Sequence, residues 1–173
     1  VCVLCPTSGT TANPKLAIIE HGSLIRHAKS YLEADPKNDK DDYVSVLPLP
    51  WIIEQKYAVA KWVICRMKVN FVEETESMLD DLREIGPTFL LLAPRVWEQL
   101  AADIRSKIMD SSFLKRFLFN TAMKLMQLNN DLLKKSFCEI ILNKWLRDSL
   151  GFSYLKSAAT GGAALGPETF KFF

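Results

Sequence analysis

The sequence predicts an α/β protein, a layered sheet with flanking helices and a helical segment at about 95–150. Three observations lead there. Short apolar runs recur along the chain, and one of them, Phe89-Leu90-Leu91-Leu92, is continuous in the way a strand buried on both faces requires. Between these runs lie longer segments whose apolar residues repeat at helical spacing. Gly and Pro stand at the joints, as in Gly86-Pro87. Strands that alternate with helices pack as layers around one core, and 173 residues suffice for a core of ordinary size.

Taken in order, residues 1–5 and 16–20 read as strands on either side of a polar loop. A helix follows from His21-Gly22-Ser23 to about Leu32, with Ser23 as its expected N-cap. Asp35 to Asp42 is charged and carries Pro and Asn, so it reads as a loop. Tyr43 to Leu47 is a short strand, ended by Pro48 and Pro50. Trp51 to about Arg66 has helical spacing, Lys68 to Val72 is a strand, and Ser77 to Ile85 is a helix stopped at Gly86-Pro87. Phe89 to Leu92 is the buried strand.

Residues 95–150 change character, being rich in Leu, Phe, Lys and Arg and free of Gly and Pro. They read as two or three amphipathic helices with breaks near Asp110-Ser111-Ser112 and Asn129-Asn130, and Gly151 ends the last. Tyr154 to Ala159 returns to strand, a Gly161-Gly162 turn follows, and Pro167 opens another helix. The helical stretch mixes Arg105, Lys107, Lys115, Arg116, Lys124, Lys134, Lys135, Lys144 and Arg147 with Phe113, Leu114, Phe117, Leu118 and Phe119. Two readings stand. One is an interfacial helix in peripheral membrane contact; the other, which we expect, is a set of helices packed on the sheet with a solvated basic face.

Composition sets limits. Hydrophobic content of 49% and charged content of 24% are ordinary for a soluble globular protein, and a net charge of +2 does not argue for nucleic acid. No apolar run approaches the ~20 residues that a spanning helix needs. Cys2 and Cys5 have metal-ligand spacing, but strand alternation puts them on opposite faces and no second Cys pair completes a tetrahedral site, so no metal site is expected. Reduced thiols in a cytoplasmic protein are the reading of the cysteines. His21 and His27 lack helical-face spacing, and neither has an identifiable nucleophile partner.

The chemistry concentrates in Thr7-Ser8-Gly9-Thr10-Thr11-Ala12-Asn13-Pro14-Lys15. Hydroxyls and backbone amides donate hydrogen bonds to anionic oxygens, Gly9 permits close approach of the backbone, and Lys15 adds a point charge. Such a loop can hold a polyphosphate. It is not the Walker pattern, because its Lys follows a Pro and precedes a β-prone stretch rather than a helix.

With His21 following the Lys, this segment resembles the phosphate loop of AMP-forming acyl-CoA synthetases. Three later segments are similar to that family in the same order: Leu47-Pro48-Leu49-Pro50-Trp51-Ile52-Ile53-Glu54-Gln55, Pro87-Thr88 through Ala93-Pro94-Arg95-Val96-Trp97-Glu98, and Thr160-Gly161-Gly162-Ala163-Ala164-Leu165-Gly166-Pro167-Glu168. The match spans almost the whole chain, and its Pro-Arg-Val-Trp segment leans to the long-chain fatty acid branch. Ala12 and Leu16 stand where the family usually has Gly, and Trp51 replaces a frequent His.

The resemblance implies that 1–173 is one partial domain, an excerpt of a larger N-terminal AMP-binding domain without the C-terminal domain. It implies a ligase that joins a fatty acid to coenzyme A with ATP and Mg2+, through an acyl adenylate. Thr7, Ser8, Gly9, Thr10, Thr11 and Lys15 would hold the β- and γ-phosphates. Gly162, Ala163 and Ala164 would lie against adenine and the acyl tunnel, where small residues let a flat ring approach the backbone. Trp51 would line the acyl side, or else be a core tryptophan. Glu54 would be a polar partner near the site or a plain helix charge, and the helix charge is the expectation. The family's Thr-Glu segment for magnesium, its ribose Asp and its C-terminal Lys have no counterpart in 1–173. The alternative to an enzyme segment is a vestigial nucleotide-binding or membrane-surface module.

Overall fold

The computed structural model describes residues 1–6, 15–127 and 144–173. The break expected at Asn129-Asn130, with Lys134 and Lys135, lies outside the described residues, as do Thr7 to Pro14.

Strand β1 (Val3–Pro6) and strand β2 (Leu16–Ile19) form an antiparallel hairpin in which Pro6 faces Leu16 and Val3 faces Ile19. The loop predicted to hold phosphate is what joins these two strand ends. Helix α1 (His21–Ala34) follows without a linker, capped by Glu20 rather than Ser23. The helix begins where β2 stops, and Ser23 is already inside it, donating its backbone N–H to Glu20.

The remaining strands make a parallel sheet: β3 (Asp42–Ser45), β4 (Lys68–Phe71), β5 (Phe89–Leu92) and β6 (Ser157–Thr160), in the spatial order β4-β3-β5-β6. Strand β5 is central and buried at all its positions. Alternation then divides the core. On one face Val44, Leu90 and Leu92 pack with Leu82 of α4 (Met78–Ile85) and with Trp97, Leu100, Ile104 and Ile108 of α5 (Pro94–Met109). On the other, Tyr43, Phe89 and Leu91 pack with Ala58 and Met67. A fully buried Leu contributes on the order of 2 kcal/mol by removal of apolar area from water, so both layers are held chiefly through β5.

Helix α6 (Phe113–Gln127) puts Phe119 into the first face but leaves Phe113, Leu114 and Phe117 exposed. The packed reading therefore holds for α5 and for one side of α6. Among the described residues no helix is long and apolar enough to cross a membrane. Helix α7 (Lys144–Ser149) ends at Gly151, whose φ of +74° is left-handed and whose backbone lies so close to Leu82 that a Cβ would sit 2.3 Å from its carbonyl. Arg147 is not part of a solvated basic face: its guanidinium donates to the carbonyls of Phe152 and Leu155 and shapes the turn there. That turn delays β6 to Ser157, later than the sequence suggests.

The segment from Trp51 to Arg66 is helical but not uniformly α. It runs as α2 (Ile52–Glu54), a π-helical stretch Gln55–Lys61, and α3 (Trp62–Cys65), which ends at the left-handed Arg66. The wide turn carries Lys61 inward until it is 1% exposed. Its ammonium has no hydrogen-bond partner among the described residues. Instead it lies 3.9, 4.2 and 4.7 Å from the ring centres of Tyr31, Phe89 and Tyr57. Lys37, paired with Asp35, approaches the same Phe89 ring. Burial, then the like charge of Lys37, lower the Lys61 pKa to about 8, against weaker opposing effects of Asp35 and Cys65.

Between about pH 8 and the ordinary value of 10.5 the folded chain binds fewer protons at Lys61 than the unfolded chain, so stability rises with pH. From about pH 9 the phenols of Tyr31, Tyr43 and Tyr57, all raised by burial, begin to act in the opposite sense. Urea unfolding should show a gain of about 1 kcal/mol from pH 8 to 9, before the phenols act, and Lys61→Met should abolish it. A wild-type profile that stays level there would mean that the ammonium reaches water and keeps its ordinary pKa.

Candidate functional site

In an open parallel sheet the ligand site lies outside the carboxyl ends of the strands, where the strand order reverses. Here the reversal falls between β3 and β5, since the chain goes from β3 outward to β4 and then crosses to β5. The predicted segments leave the sheet at this edge. Leu47 to Trp51 follows β3, Ala93-Pro94-Arg95 follows β5, and Gly161-Gly162 follows β6.

Contacts bring them together. The thiol of Cys5, near the end of β1, lies 3.7 Å from the carbonyl of Pro50, so this end of the hairpin lies beside the Trp51 segment. Trp51 closes a turn by donating its N–H to Pro48, and Gln55 holds that turn through a side-chain bond to the Leu49 carbonyl. Ile53 reaches the Gly turn: a Cβ on Gly161 would stand 3.0 Å from Ile53 Cδ1. On the far side of β6, the Trp97 indole N–H donates to the Ala159 carbonyl.

The individual residues fall as follows. Gly162 has φ +90°, and a Cβ there would meet nothing within 4 Å, so the turn needs Gly for its backbone and leaves open space above it. Ala163 and Ala164 are exposed beside it. Trp51 is 53% exposed, so it is not a core tryptophan. Lys15 is exposed at the start of β2, and Leu16 projects into solvent there too. Thr7, Ser8, Gly9, Thr10 and Thr11 lie outside the described residues; of the strands that flank them, β1 touches Pro50 through Cys5.

Glu54 corrects an expectation. It is not a surface helix charge but fully buried, accepting hydrogen bonds from Tyr43 Oη at 3.0 and 2.9 Å and from Ser45 Oγ at 2.5 Å. Burial raises its pKa, and the bonds from Ser45 and Tyr43 offset only part of that. The signal was present in the sequence. Tyr43 and Ser45 alternate on β3 and therefore share one face, the face on which the following helix folds back.

The opposite edge of the sheet is built differently. Asp41, 2% exposed, accepts bonds from Lys156, Thr88 and the Asn38 amide, which tie the starts of β3, β5 and β6. Burial alone would raise the Asp41 pKa; those bonds outweigh it and hold it below the usual carboxylate range. This edge is closed by paired charge, whereas the carboxyl edge carries loops and turns.

A parallel sheet with helices on both faces and loops gathered at the carboxyl ends of its strands is an α/β architecture whose ligand sites fall at that edge. The whole chain, residues 1–173, matches the family described as AMP-binding enzyme, and the chain belongs to that family. It is 30% identical to long chain acyl-CoA synthetase 6, peroxisomal, of Arabidopsis thaliana, over 99% of this chain and 25% of that protein. The chain thus spans about a quarter of the length of this relative. Among solved structures it is similar to the adenylation domain of a carboxylate reductase from Mycobacterium chelonae, with a TM-score of 0.70 and 18% identity over 98% of this chain and 24% of the other. It is also similar to o-succinylbenzoate coenzyme A synthetase from Bacillus subtilis in complex with ATP and magnesium ion, with a TM-score of 0.51 and 25% identity over 57% of this chain and 21% of the other.

The contact between Ile53 and Gly161 is testable. Gly161→Ala should be better tolerated by about 0.5–1 kcal/mol in an Ile53→Val background, which lacks Cδ1, than in the wild type, where the new Cβ would stand 3.0 Å from that atom. Equal costs in both backgrounds, measured by denaturant unfolding, would separate the Trp51 segment from the Gly turn.

Proposed function

We propose that the protein containing this segment is an AMP-forming ligase that activates a long-chain fatty acid with ATP and passes the acyl group to coenzyme A. One observation carries the reading: the phosphate-loop stem, the Trp51 segment and the Gly161-Gly162 turn meet at one sheet edge in a chain that matches an AMP-binding family throughout. The long-chain preference rests on the name of the Arabidopsis relative, and other acids are used in the same fold, as o-succinylbenzoate is by the Bacillus enzyme. A vestigial module is not favoured by a match of this extent.

In the first half-reaction a fatty acid carboxylate oxygen attacks the α-phosphorus, and the bond to the bridging oxygen breaks to release pyrophosphate. In the second the coenzyme A sulfur attacks the acyl carbon and AMP leaves. Charge builds on the departing phosphates, so positioning and positive electrostatics dominate. In this reading the hydroxyls and amides of Thr7, Ser8, Gly9, Thr10 and Thr11, with the Lys15 ammonium, bind the β- and γ-phosphates. Gly162, Ala163 and Ala164 offer a flat backbone surface for adenine, and Trp51 borders the acyl chain. Bound Mg2+ neutralises phosphate charge. Among the described residues no group of three His, Cys, Asp or Glu side chains could hold it, and no residue here is assigned to it.

Two measurements on the full-length protein test this. Lys15→Ala should slow fatty-acid-dependent ATP–pyrophosphate exchange by about 100-fold while slowing thioester formation from supplied acyl adenylate far less, because Lys15 serves only the departing phosphates. Equal losses in the two half-reactions would remove it from that role. Trp51→Ala should shift the preferred acyl length, and an unchanged profile across short, long and aromatic acids would take Trp51 off the acyl side.

A further inference from the structure

Glu54 is an expensive residue to bury. Both donors to its carboxylate, Tyr43 and Ser45, are neutral hydroxyls. A buried carboxylate held only by neutral groups costs several kcal/mol relative to an apolar side chain of similar volume. Core stability does not explain it, since Leu or Met at this point of the apolar face would pack without that cost.

Its position suggests what it does. Ser45 is the last residue of β3 and Glu54 is the last residue of α2, so their bond closes the base of the loop 46–53. That loop carries Trp51 at its tip and Ile53 at its end. Ile53 in turn abuts Gly161, and the tip is touched by Cys5 through Pro50. The π-helical stretch begins at the next residue, Gln55, and its far end is anchored by the buried Lys61. Because α2 ends directly in a wide turn, α-helical continuity does not fix the direction in which Trp51 and Ile53 project. The carboxylate fixes it from below.

We propose that Glu54, with Tyr43 and Ser45, is a specificity-positioning clamp that sets how far Trp51 and Ile53 reach over the Gly161-Gly162 turn, and so which acids the site accepts. The inference rests on the reading of Trp51 as bordering the acyl chain. Glu54 does not touch substrate; it acts through the loop.

The test uses the full-length protein and an acid series of short, long and aromatic members in ATP–pyrophosphate exchange. Glu54→Leu, matched in volume, leaves both hydroxyls without their acceptor. It should change the ratio of kcat/KM between dodecanoate and palmitate by about fivefold or more, with KM for ATP within about twofold. Glu54→Gln keeps an acceptor oxygen and should restore most of the wild-type ratio. Parallel changes in the KM of acid and ATP, or a ratio that does not move, would overturn the clamp. Hydrogen exchange of free Glu54→Leu protein supplies a readout independent of activity. Amides in 46–53 should exchange faster than in wild type while those of β5 do not; unchanged exchange in the loop would overturn the proposal even if Glu54→Leu were inactive. A wild type that prefers another class of acid would overturn the long-chain reading alone, since the ratio is then taken between two members of that class.

Discussion

The burial of β5 on both faces is the constraint on which the rest depends. A strand of four apolar residues with no polar position cannot lie at an edge or under solvent. It requires a partner strand on each side, supplied by β3 and β6, and a helical layer above and below. Phe89 and Leu91 then belong to one layer, Leu90 and Leu92 to the other. The crossings from β3 to β4 and from β4 to β5 follow as the way to clothe both faces. The reversal of strand order they create beside β5 is where loops gather.

The two ends of the sheet use charge in opposite ways. At the amino edge Asp41 is surrounded by an ammonium, a hydroxyl and an amide, and ionisation is favoured. At the carboxyl edge Glu54 has hydroxyls alone, and ionisation is disfavoured. The first arrangement is a structural tie whose geometry is satisfied locally. The second keeps a poorly compensated carboxylate under a loop bearing an exposed Trp, a combination that stability alone does not select. Free energy withheld from the core at that edge is consistent with a site whose shape matters.

Much of this was legible in the sequence. The Phe89–Leu92 run lies where the strand lies, and helix α4 stops at Gly86 as its Gly-Pro joint suggests. The Gly161-Gly162 turn and the Trp51 segment were marked as candidate site elements by the family resemblance. Their meeting was not, because contacts such as Ile53 with Gly161 join positions far apart in the chain. The π-helical stretch was hidden since its apolar spacing resembles that of an α-helix over so short a length. Arg147 looked like surface charge because its carbonyl partners carry no sequence signature. Burial of Glu54 depended on combining strand alternation at Tyr43 and Ser45 with the return path of the next helix, which no local pattern encodes.

The most direct test of the site is hydrogen exchange of the full-length protein with and without a non-hydrolysable acyl-sulfamoyl adenosine carrying a long chain. With pyrophosphate added beside the analogue to fill the places of the departed phosphates, protection is expected in 7–15, in Leu49 to Ile53 and in Gly161 to Leu165, with no change around Asp41, Thr88 and Lys156. Protection confined to the Asp41 edge, or none in those three segments at saturating analogue, would contradict it.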